Sequence, residues 1–365
     1  MYKYACRFKV LAVSALLLLS CSGESTPAQP RILTEAVKAQ LETAADSVFA
    51  ELKPPGMIAL ISVEGEGDYL IKRGVSNMET GRPMSEDYYF RIGSNTKTLV
   101  GTAVLILVDE GKIKLDTPIA TYLPEYNIPN GDRITVRMLG NMTSGLFNYT
   151  DDAAFFAPLI GSSGYSYAYT PGELLTASFS HLPNFEPGAR YEYCNTNIVL
   201  LGLLLEKATG KPAKQVIQEK VIQPMGLTHT YWPDSGSQTE PYTHGYTSAL
   251  GNTIDATNWN PSWGYTAGIL ISTFADMKIW AKAVAEGSLL SKQMQAERFQ
   301  WVNGHYGFCV MKAGNWIGHA GTIFGYNSHV LYNAEKKITY IVLVNTETDH
   351  PVEQFTNAFM GILNK

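Results

Sequence analysis

Segments that favour β-strands lie near both ends of this chain, and helix signals fill the stretch between them. Met57–Val63 and Tyr69–Val75 predict a hairpin around a turn rich in glycine and acidic residues. Tyr306–Lys312, Tyr326–Tyr332 and Ile338–Val344 predict short strands near the other end. This order predicts one sheet built from both ends of the body, with a helical insertion between them.

Four segments carry helix signals. Residues 32–52 place apolar side chains on one helical stripe, and Pro54 ends that helix. Thr96–Glu110 predicts a helix that stops at a glycine. Asn197–Ala208 is apolar almost all round, which is typical of a buried helix. Pro351 opens a last helix, since proline is favoured in the first helical turn.

Composition excludes several classes of protein. The chain has 365 residues, of which 45% are hydrophobic and 17% are charged. Such a chain can bury a large core, and it is not disordered, collagenous or a coiled coil. Lys and Arg number 28 and Asp and Glu 33, for a formal net charge of −5. Since there is no basic surplus, nucleic acid is not a predicted partner.

The N-terminal segment is predicted to be a targeting signal and a tether rather than part of the fold. Residues 1–20 predict a signal peptide, because a basic start precedes an apolar run, Val10–Leu19, shorter than the roughly 20 residues that span a bilayer. The run leads to Cys21, and this junction resembles the lipidation site of bacterial lipoproteins. An ordinary signal peptide with an incidental cysteine is the alternative. With residues 21–31 as a tether and 32–365 as the body, the prediction is an exported, membrane-anchored lipoprotein that faces the periplasm or the cell exterior.

Cysteine content and the absence of common motifs exclude several kinds of site. Cys194 and Cys309 are the body's cysteines, too few for a disulfide scaffold, and buried free thiols are the favoured interpretation. The chain has no H-E-x-x-H, no C-x-x-C and no histidine pair at helical spacing, so no metal site is predicted. It also lacks the G-x-S-x-G of the α/β-hydrolase elbow.

One nucleophile motif stands at the start of a predicted helix, where Ser94 and Lys97 form S-x-x-K. Residues three apart lie on the same helical face, so the amine is within reach of the hydroxyl. A serine becomes a good nucleophile when a base takes its proton, and a lysine can be that base only if its charge is discouraged. Alone, the motif is weak evidence, because a serine helix cap followed by a solvated lysine is the favoured interpretation of an isolated match.

Two further segments carry candidate side chains. Tyr193 and Asn195 open the apolar helix, and His319 lies between predicted strands. Near S-x-x-K, a tyrosine and a basic residue would supply a second proton carrier and a cation for the substrate. Cys194 could be a second nucleophile, but a small buried residue is the favoured interpretation. Aromatic residues of two long loops are candidate pocket walls: Tyr165, Tyr167, Tyr169, Trp232, Trp259, Trp263 and Tyr265.

Together, the three motifs resemble those of the serine β-lactamase and penicillin-binding protein superfamily, in its class C β-lactamase and DD-carboxypeptidase branch. They are S-x-x-K at Ser94–Lys97, Y-x-N at Tyr193–Asn195 and a basic-x-G triplet at His319–Gly321, in the family's order. The resemblance covers about residues 35–347. It implies an α+β fold in which helices flank an antiparallel β-sheet, plus an inserted, mostly helical domain. The implied parts are a sheet part at about 32–112 and 226–365 and a helical part at about 113–225.

The resemblance also implies roles for the matching residues. Ser94 would attack a carbonyl and form an acyl-enzyme, while Lys97 and Tyr193 would share the proton transfers. Which of those two is the acylation base stays open at this stage. Asn195 would hold the Lys97 side chain and the substrate amide.

Substrate binding is implied for the third motif. His319 and Gly321 of the triplet would help to position substrate, and the oxyanion hole would be the N–H groups of Ser94 and Thr322. No metal and no organic cofactor is implied.

The triplet departs from the family pattern, since His319-Ala320-Gly321 replaces the Lys-Thr-Gly that is usual in class C β-lactamases. Histidine is mostly neutral at pH 7 and anchors a carboxylate weakly. The favoured function is therefore a DD-carboxypeptidase or related peptidase that acts on an amide or ester. The alternatives are a class C-like β-lactamase, an esterase of small esters and a non-catalytic protein that binds penicillin or peptidoglycan. The predicted partners are a small-molecule or peptide substrate and the membrane lipid, and the oligomeric state stays open.

Overall fold

The structure is a computed structural model that describes residues 31–365. Its strands, in chain order, are β1 (Gly56–Val63), β2 (Gly67–Asn77), β3 (Arg82–Pro83), β4 (Phe90–Arg91), β5 (Tyr246–Thr247), β6 (Ile254–Asp255), β7 (Ile271–Ser272), β8 (Tyr306–Gly307), β9 (Val310–Ala313), β10 (Trp316–Ile323), β11 (Tyr326–Asn333) and β12 (Ile338–Val344). Eight of them form one sheet in the order β3-β2-β1-β12-β11-β10-β9-β8, and its paired strands are antiparallel. Strand β4 pairs with β7 and β5 with β6.

The central pair of the sheet joins the two ends of the body. Strands β1 and β12 are neighbours, with Leu60 opposite Ile341. This pairing confirms that one sheet is built from both ends of the body. Both strands are buried along their whole length, and such strands lack the alternation that marks a half-exposed sheet.

The described chain has twelve α-helices, some of which cover the two faces of this sheet. They are α1 (Glu35–Leu52), α2 (Thr96–Asp109), α3 (Ile119–Tyr122), α4 (Val136–Gly140), α5 (Ala157–Gly161), α6 (Pro171–Phe179), α7 (Asn195–Thr209), α8 (Ala213–Ile217), α9 (Tyr265–Gly268), α10 (Phe274–Glu286), α11 (Lys292–Arg298) and α12 (Pro351–Leu363). Within the described chain, residues 113–225 contribute helices and turns but no strand.

Alternate residues of β1 point into two hydrophobic clusters. Met57 and Ile61 pack with residues of α1 and α12, such as Phe355. Ile58 and Leu60 belong to the larger cluster that also contains the buried residues of α2, α7 and α10. The sheet is therefore the middle layer of three, and the long insertion packs on one side only.

Local signals explain where the main helices begin and end. The Thr34 side chain accepts a hydrogen bond from the Val37 N–H and so caps α1. Gly210 ends α7 with a φ of 69°, a left-handed conformation that glycine adopts without a steric penalty. Pro351 is the first residue of α12, as predicted.

The structure corrects two predictions near the third motif. Tyr306–Lys312 is a tight hairpin, β8 and β9, rather than one strand, and Cys309 takes a positive φ of 56° in its turn. His319 lies within strand β10 and not between strands. Gly318, Ala320 and Gly321 have low strand propensity, but pairing with β11 along the whole of β10 overrides it.

The predicted signal peptide, Cys21 and residues 22–30 lie outside the described residues, so their roles stay predictions. Within residues 31–365, no helix is both long and apolar enough to cross a bilayer.

Candidate active site

Ser94 lies in a single 3-10 turn, Gly93–Asn95, that leads directly into α2. The Asn95 side-chain amide donates to the Ile92 carbonyl at 2.9 Å and to the Ser328 hydroxyl of β11 at 3.1 Å. These bonds attach the turn to the sheet. The first hydrogen bond of the turn comes from the Asn95 N–H, so the Ser94 N–H precedes it at the helix N-terminus, where donors lack intrahelical partners.

Lys97 is fully buried beneath this turn. Its Nζ donates to Ser94 Oγ at 2.7 Å and to the Ala267 carbonyl oxygen at 2.6 Å. Burial lowers the pKa of Lys97 to about 7. A large fraction of these amines is therefore neutral at physiological pH and can accept a proton from the serine.

The Ala267 carbonyl is a partner that no motif indicates. Ala267 belongs to the four-residue helix α9, whose last carbonyls lack intrahelical partners. The Ala267 carbonyl accepts the second hydrogen bond of the Lys97 amine, although the two residues are 170 positions apart in the chain.

Tyr193 stands over the same amine, just before α7. Lys97 Nζ lies 4.9 Å from the centroid of the Tyr193 ring. Burial raises the pKa of Tyr193 far above its usual range, and a hydrogen bond with Ser94 offsets only part of this rise. The phenol therefore stays protonated, so it can donate a hydrogen bond but does not act as a base at neutral pH.

Asn195 differs from its expected role. Its side-chain amide donates to the Thr150 hydroxyl at 3.2 Å and not to Lys97. The reason is local, since Asn195 is the first residue of α7 and its N–H donates to the Asn148 side chain at 2.9 Å. These two bonds turn Asn195 towards the loop at residues 148–150, although it still lines the cavity beside Ser94.

His319 also lines this cavity, but both of its ring nitrogens are already engaged. Nδ1 lies 2.6 Å from the Ala320 carbonyl oxygen, and Nε2 lies 3.1 Å from the Tyr306 hydroxyl. Burial, and next the charge of Lys97, lower the pKa of His319 to about 3. The side chain is neutral at pH 7, as expected from the sequence, and it has no spare N–H for a substrate carboxylate.

The backbone of β10 passes beside the serine turn. Strand β9 pairs with β10 only as far as Gly318. A Cβ built on Gly93 would lie 2.7 Å from the Thr322 nitrogen, so glycine permits this approach. Thr322 lines the cavity, and its hydroxyl accepts from the Asn327 side chain at 3.0 Å. The Thr322 N–H is thus close to the Ser94 turn, as an oxyanion hole made of these two groups requires.

Gly321 has a packing role beside the serine turn. It is not among the residues that line the cavity. A Cβ built at this position would lie only 2.0 Å from the Ile92 carbonyl oxygen. The glycine of the triplet therefore lets β10 lie against the serine turn.

Replacing Gly321 by Ala is expected to lower kcat/KM by about 10²-fold, because β10 must move away from Ser94 and misplaced groups cost that much. We also expect a loss of about 1–3 kcal/mol in the free energy of unfolding through overpacking. Steady-state kinetics and thermal unfolding test both effects. The matched control is Gly361→Ala, since a Cβ at Gly361 meets nothing within 4 Å. Equal activity of the two variants would contradict this role for Gly321.

Three aromatic side chains form a cluster in the cavity wall beside Ser94. The cavity has a volume of about 390 Å³. Phe156, Trp263 and Phe324 line it and contact one another edge to face, with ring centroids 5.0–5.5 Å apart. Of the predicted loop aromatics, only Trp263 lines the cavity among the described residues. Tyr165 stacks on Trp259 at 4.1 Å, and the Trp259 ring in turn lies 4.9 Å from Phe324 of the wall.

Glu347 is the acidic member of this lining, and no motif indicates it. Its carboxylate accepts from the Gly325 N–H at 2.7 Å and from the Thr247 hydroxyl. Burial raises the pKa of Glu347 above its usual value. Among the residues that the structure describes, no lysine or arginine lines the cavity.

The two cysteines of the body are buried free thiols, as favoured from the sequence. The Cys194 sulfur lies 3.4 Å from the Leu146 carbonyl oxygen. Burial raises the pKa of Cys194 to about 11, so it is mostly protonated at neutral pH and unsuited to be a nucleophile.

Comparison with known proteins agrees with this arrangement. A family model described as Beta-lactamase matches residues 41–365. The solved D-stereospecific amidohydrolase from Streptomyces sp. superimposes with a TM-score of 0.78 at 30% identity, covering 88% of this chain and 97% of that one. The D-amino acid amidase from Ochrobactrum anthropi SV3 gives a TM-score of 0.77 at 25% identity, covering 90% and 98%.

Among curated sequences, esterase EstB of Burkholderia gladioli is 32% identical over 199 residues. That match covers 53% of this chain and 50% of the esterase, so it spans half the length of this relative. Since the family match includes the whole arrangement around Ser94, the chain belongs to the beta-lactamase family and is a serine hydrolase.

Proposed function

We propose that the protein hydrolyses amides or esters of small amino-acid derivatives through an acyl-enzyme on Ser94. Neutral Lys97 takes the proton of Ser94 Oγ as this oxygen attacks the carbonyl carbon. The resulting oxyanion accepts from the N–H groups of Ser94 and Thr322. The amine or alcohol then leaves with a proton passed through Tyr193, and water attacks the acyl-enzyme to release the acid and restore the Ser94 hydroxyl.

The pKa values favour Lys97 over Tyr193 as the base. Near neutral pH, an efficient base has a pKa close to the working pH. Burial brings the pKa of Lys97 to about 7 but moves that of Tyr193 away from this range. The short Lys97–Ser94 bond supplies the geometry that the transfer needs.

The choice of substrate rests on one observation, the charge of the residues that line the cavity. The lining contains Glu347, a neutral His319 and, among the described residues, neither lysine nor arginine. A D-Ala-D-Ala terminus or a β-lactam presents a carboxylate, which this lining would leave without a cation. We therefore favour the amidase side of the predicted peptidase over a DD-carboxypeptidase.

The acyl half of the substrate is inferred from the same wall. Phe156, Trp263 and Phe324 suit an apolar or aromatic side chain. The Glu347 carboxylate suits an ammonium group. A D-amino acid amide or ester meets both needs, and the D-configuration is supported by the similarity to a D-stereospecific amidohydrolase and a D-amino acid amidase.

A set of matched substrates tests the proposal. The set is D-phenylalanine amide, its L-enantiomer, its N-acetyl derivative, D-phenylalanine methyl ester and a peptide that ends in D-Ala-D-Ala. We expect the highest kcat/KM for the D-amide or the D-ester, and losses with the L-amide and the N-acetyl amide. Faster hydrolysis of the D-Ala-D-Ala peptide, or sustained turnover of a cephalosporin, would overturn the proposal.

Replacing Glu347 by Gln is expected to remove the preference for a free amino group. We expect the ratio of kcat/KM between D-phenylalanine amide and its N-acetyl derivative to fall by about tenfold, because a bond to a charged group is lost. Glu353→Gln is the matched control, since Glu353 is an exposed acid on α12. An equal fall for both substrates would mean that Glu347 only holds Gly325 and Thr247 in place.

A further inference from the structure

Tyr306 lies behind His319 at the start of β8, and no motif singles it out. The side chain is fully buried. Its hydroxyl oxygen is 3.1 Å from His319 Nε2, and the two rings meet edge to face with centroids 5.8 Å apart. The mechanism above does not use this residue.

The direction of this hydrogen bond follows from the other side of the imidazole. His319 Nδ1 lies 2.6 Å from the Ala320 carbonyl oxygen, which can only accept, so Nδ1 carries a proton. The buried ring is neutral and has one N–H in total. Nε2 is therefore the acceptor, and Tyr306 is the donor. Burial raises the pKa of Tyr306 well above its usual value, so the donor keeps its proton.

We propose that Tyr306 is a specificity-determining residue that prevents His319 from binding a substrate carboxylate. Its hydroxyl occupies Nε2 and holds the imidazole as the neutral Nδ1–H tautomer. His319 then lines the catalytic cavity without offering an N–H or a positive charge to an anion. This inference rests on the proposed function, because it explains why the same site would accept substrates with a neutral leaving group.

The test is Tyr306→Phe with a pair of substrates that differ in one group, D-Phe-D-Ala and its C-terminal amide. Removing the hydroxyl leaves Nε2 without a donor, so the neutral ring can take the Nε2–H tautomer and donate this N–H to the carboxylate. We expect kcat/KM for the acid, relative to the amide, to rise about tenfold, chiefly through KM. Tyr191→Phe is the matched control. The Tyr191 ring lies 5.5 Å from the Tyr306 ring, centroid to centroid, so the change removes a neighbouring hydroxyl while the Tyr306–His319 bond stays in place.

A second measurement does not depend on turnover or on the stability of the variant. In wild type labelled with ¹⁵N-histidine, the His319 signals, assigned with His319→Asn, should show an unprotonated Nε2 at pH 7. The dissociation constants of the two substrates are then measured with the Ser94→Ala variant and with the double variant that also carries Tyr306→Phe. We expect Tyr306→Phe to strengthen binding of the acid relative to the amide. If wild type hydrolyses neither dipeptide and neither D-phenylalanine amide nor its methyl ester, the proposed function fails, while the tautomer and these affinities still decide the role of Tyr306. A protonated Nε2 in wild type, or an equal effect of Tyr306→Phe on acid and amide, would overturn the inference.

Discussion

Replacing Ser94 by Ala is expected to abolish turnover, with a fall in kcat on the order of 10⁶-fold, as for the nucleophile of other serine hydrolases. The Ser94 oxygen forms the bond to the acyl group, and alanine has no atom that can replace it. The Lys97 amine would lose its 2.7 Å partner but would keep the Ala267 carbonyl at 2.6 Å. The fold should therefore survive the change, and substrate binding should persist.

Intact-mass measurement after mixing with a penicillin or with D-phenylalanine methyl ester checks this expectation directly. An acyl adduct on wild type alone identifies Ser94 as the nucleophile, and its lifetime gives the deacylation rate. Ser47→Ala is the control, because Ser47 is an exposed serine on the outer side of α1. Turnover or acylation by Ser94→Ala at the wild-type rate would refute the mechanism. Ligand binding without any adduct on wild type would point to the non-catalytic alternative.

Replacing Lys97 by Met is expected to lower kcat/KM by about 10²–10⁴-fold while making the folded protein more stable. The loss of activity is the usual contribution of a general base. The gain in stability arises because a buried lysine resists protonation in the folded state. Its pKa falls from an ordinary 10.5 to about 7.

The sign of the pH effect follows from this pair of values. Between about pH 7 and 10.5 the unfolded chain binds more protons at Lys97 than the folded chain does, so stability rises with pH across this window. Below pH 7 the folded protein bears the full free-energy cost of burying a charged Lys97, and methionine removes this cost. We therefore expect Lys97→Met to exceed wild type in the free energy of unfolding by a few kcal/mol at pH 7 and by little above pH 10.5. Denaturant unfolding at the two pH values measures this difference.

The pH dependence of activity should also reflect the protonation of Lys97. In wild type, kcat/KM should rise with pH through about 7, because Lys97 must lose its proton before it can act as the base. Lys97→Arg, which stays charged, should be as inactive as Lys97→Met but less stable. A flat profile between pH 5 and 9, or substantial activity in Lys97→Met, would assign the base to another group such as Tyr193.

The sequence predicted the parts of this protein that depend on residues close together in the chain. S-x-x-K at Ser94 and Lys97 places a hydroxyl and an amine one helical turn apart wherever a helix forms, and α2 does form there. Apolar segments at both ends predicted the strands β1 and β12, because such residues must leave water. The order of the motifs was enough to indicate the family.

The tertiary structure alone decided the hydrogen-bond partners and the protonation states of those residues. The Ala267 carbonyl accepts the second hydrogen bond of Lys97 from 170 residues away. The Tyr306 hydroxyl, from the neighbouring β8–β9 hairpin, occupies Nε2 of His319. Asn195 turned to Thr150 instead of Lys97, and Glu347 entered the cavity from a loop after the last strand. Hydrogen-bond partners and desolvation depend on which atoms meet in space, and distant segments meet only when the core packs. For this reason the sequence determined which groups do the chemistry, while the packing decided their protonation and the substrates they suit.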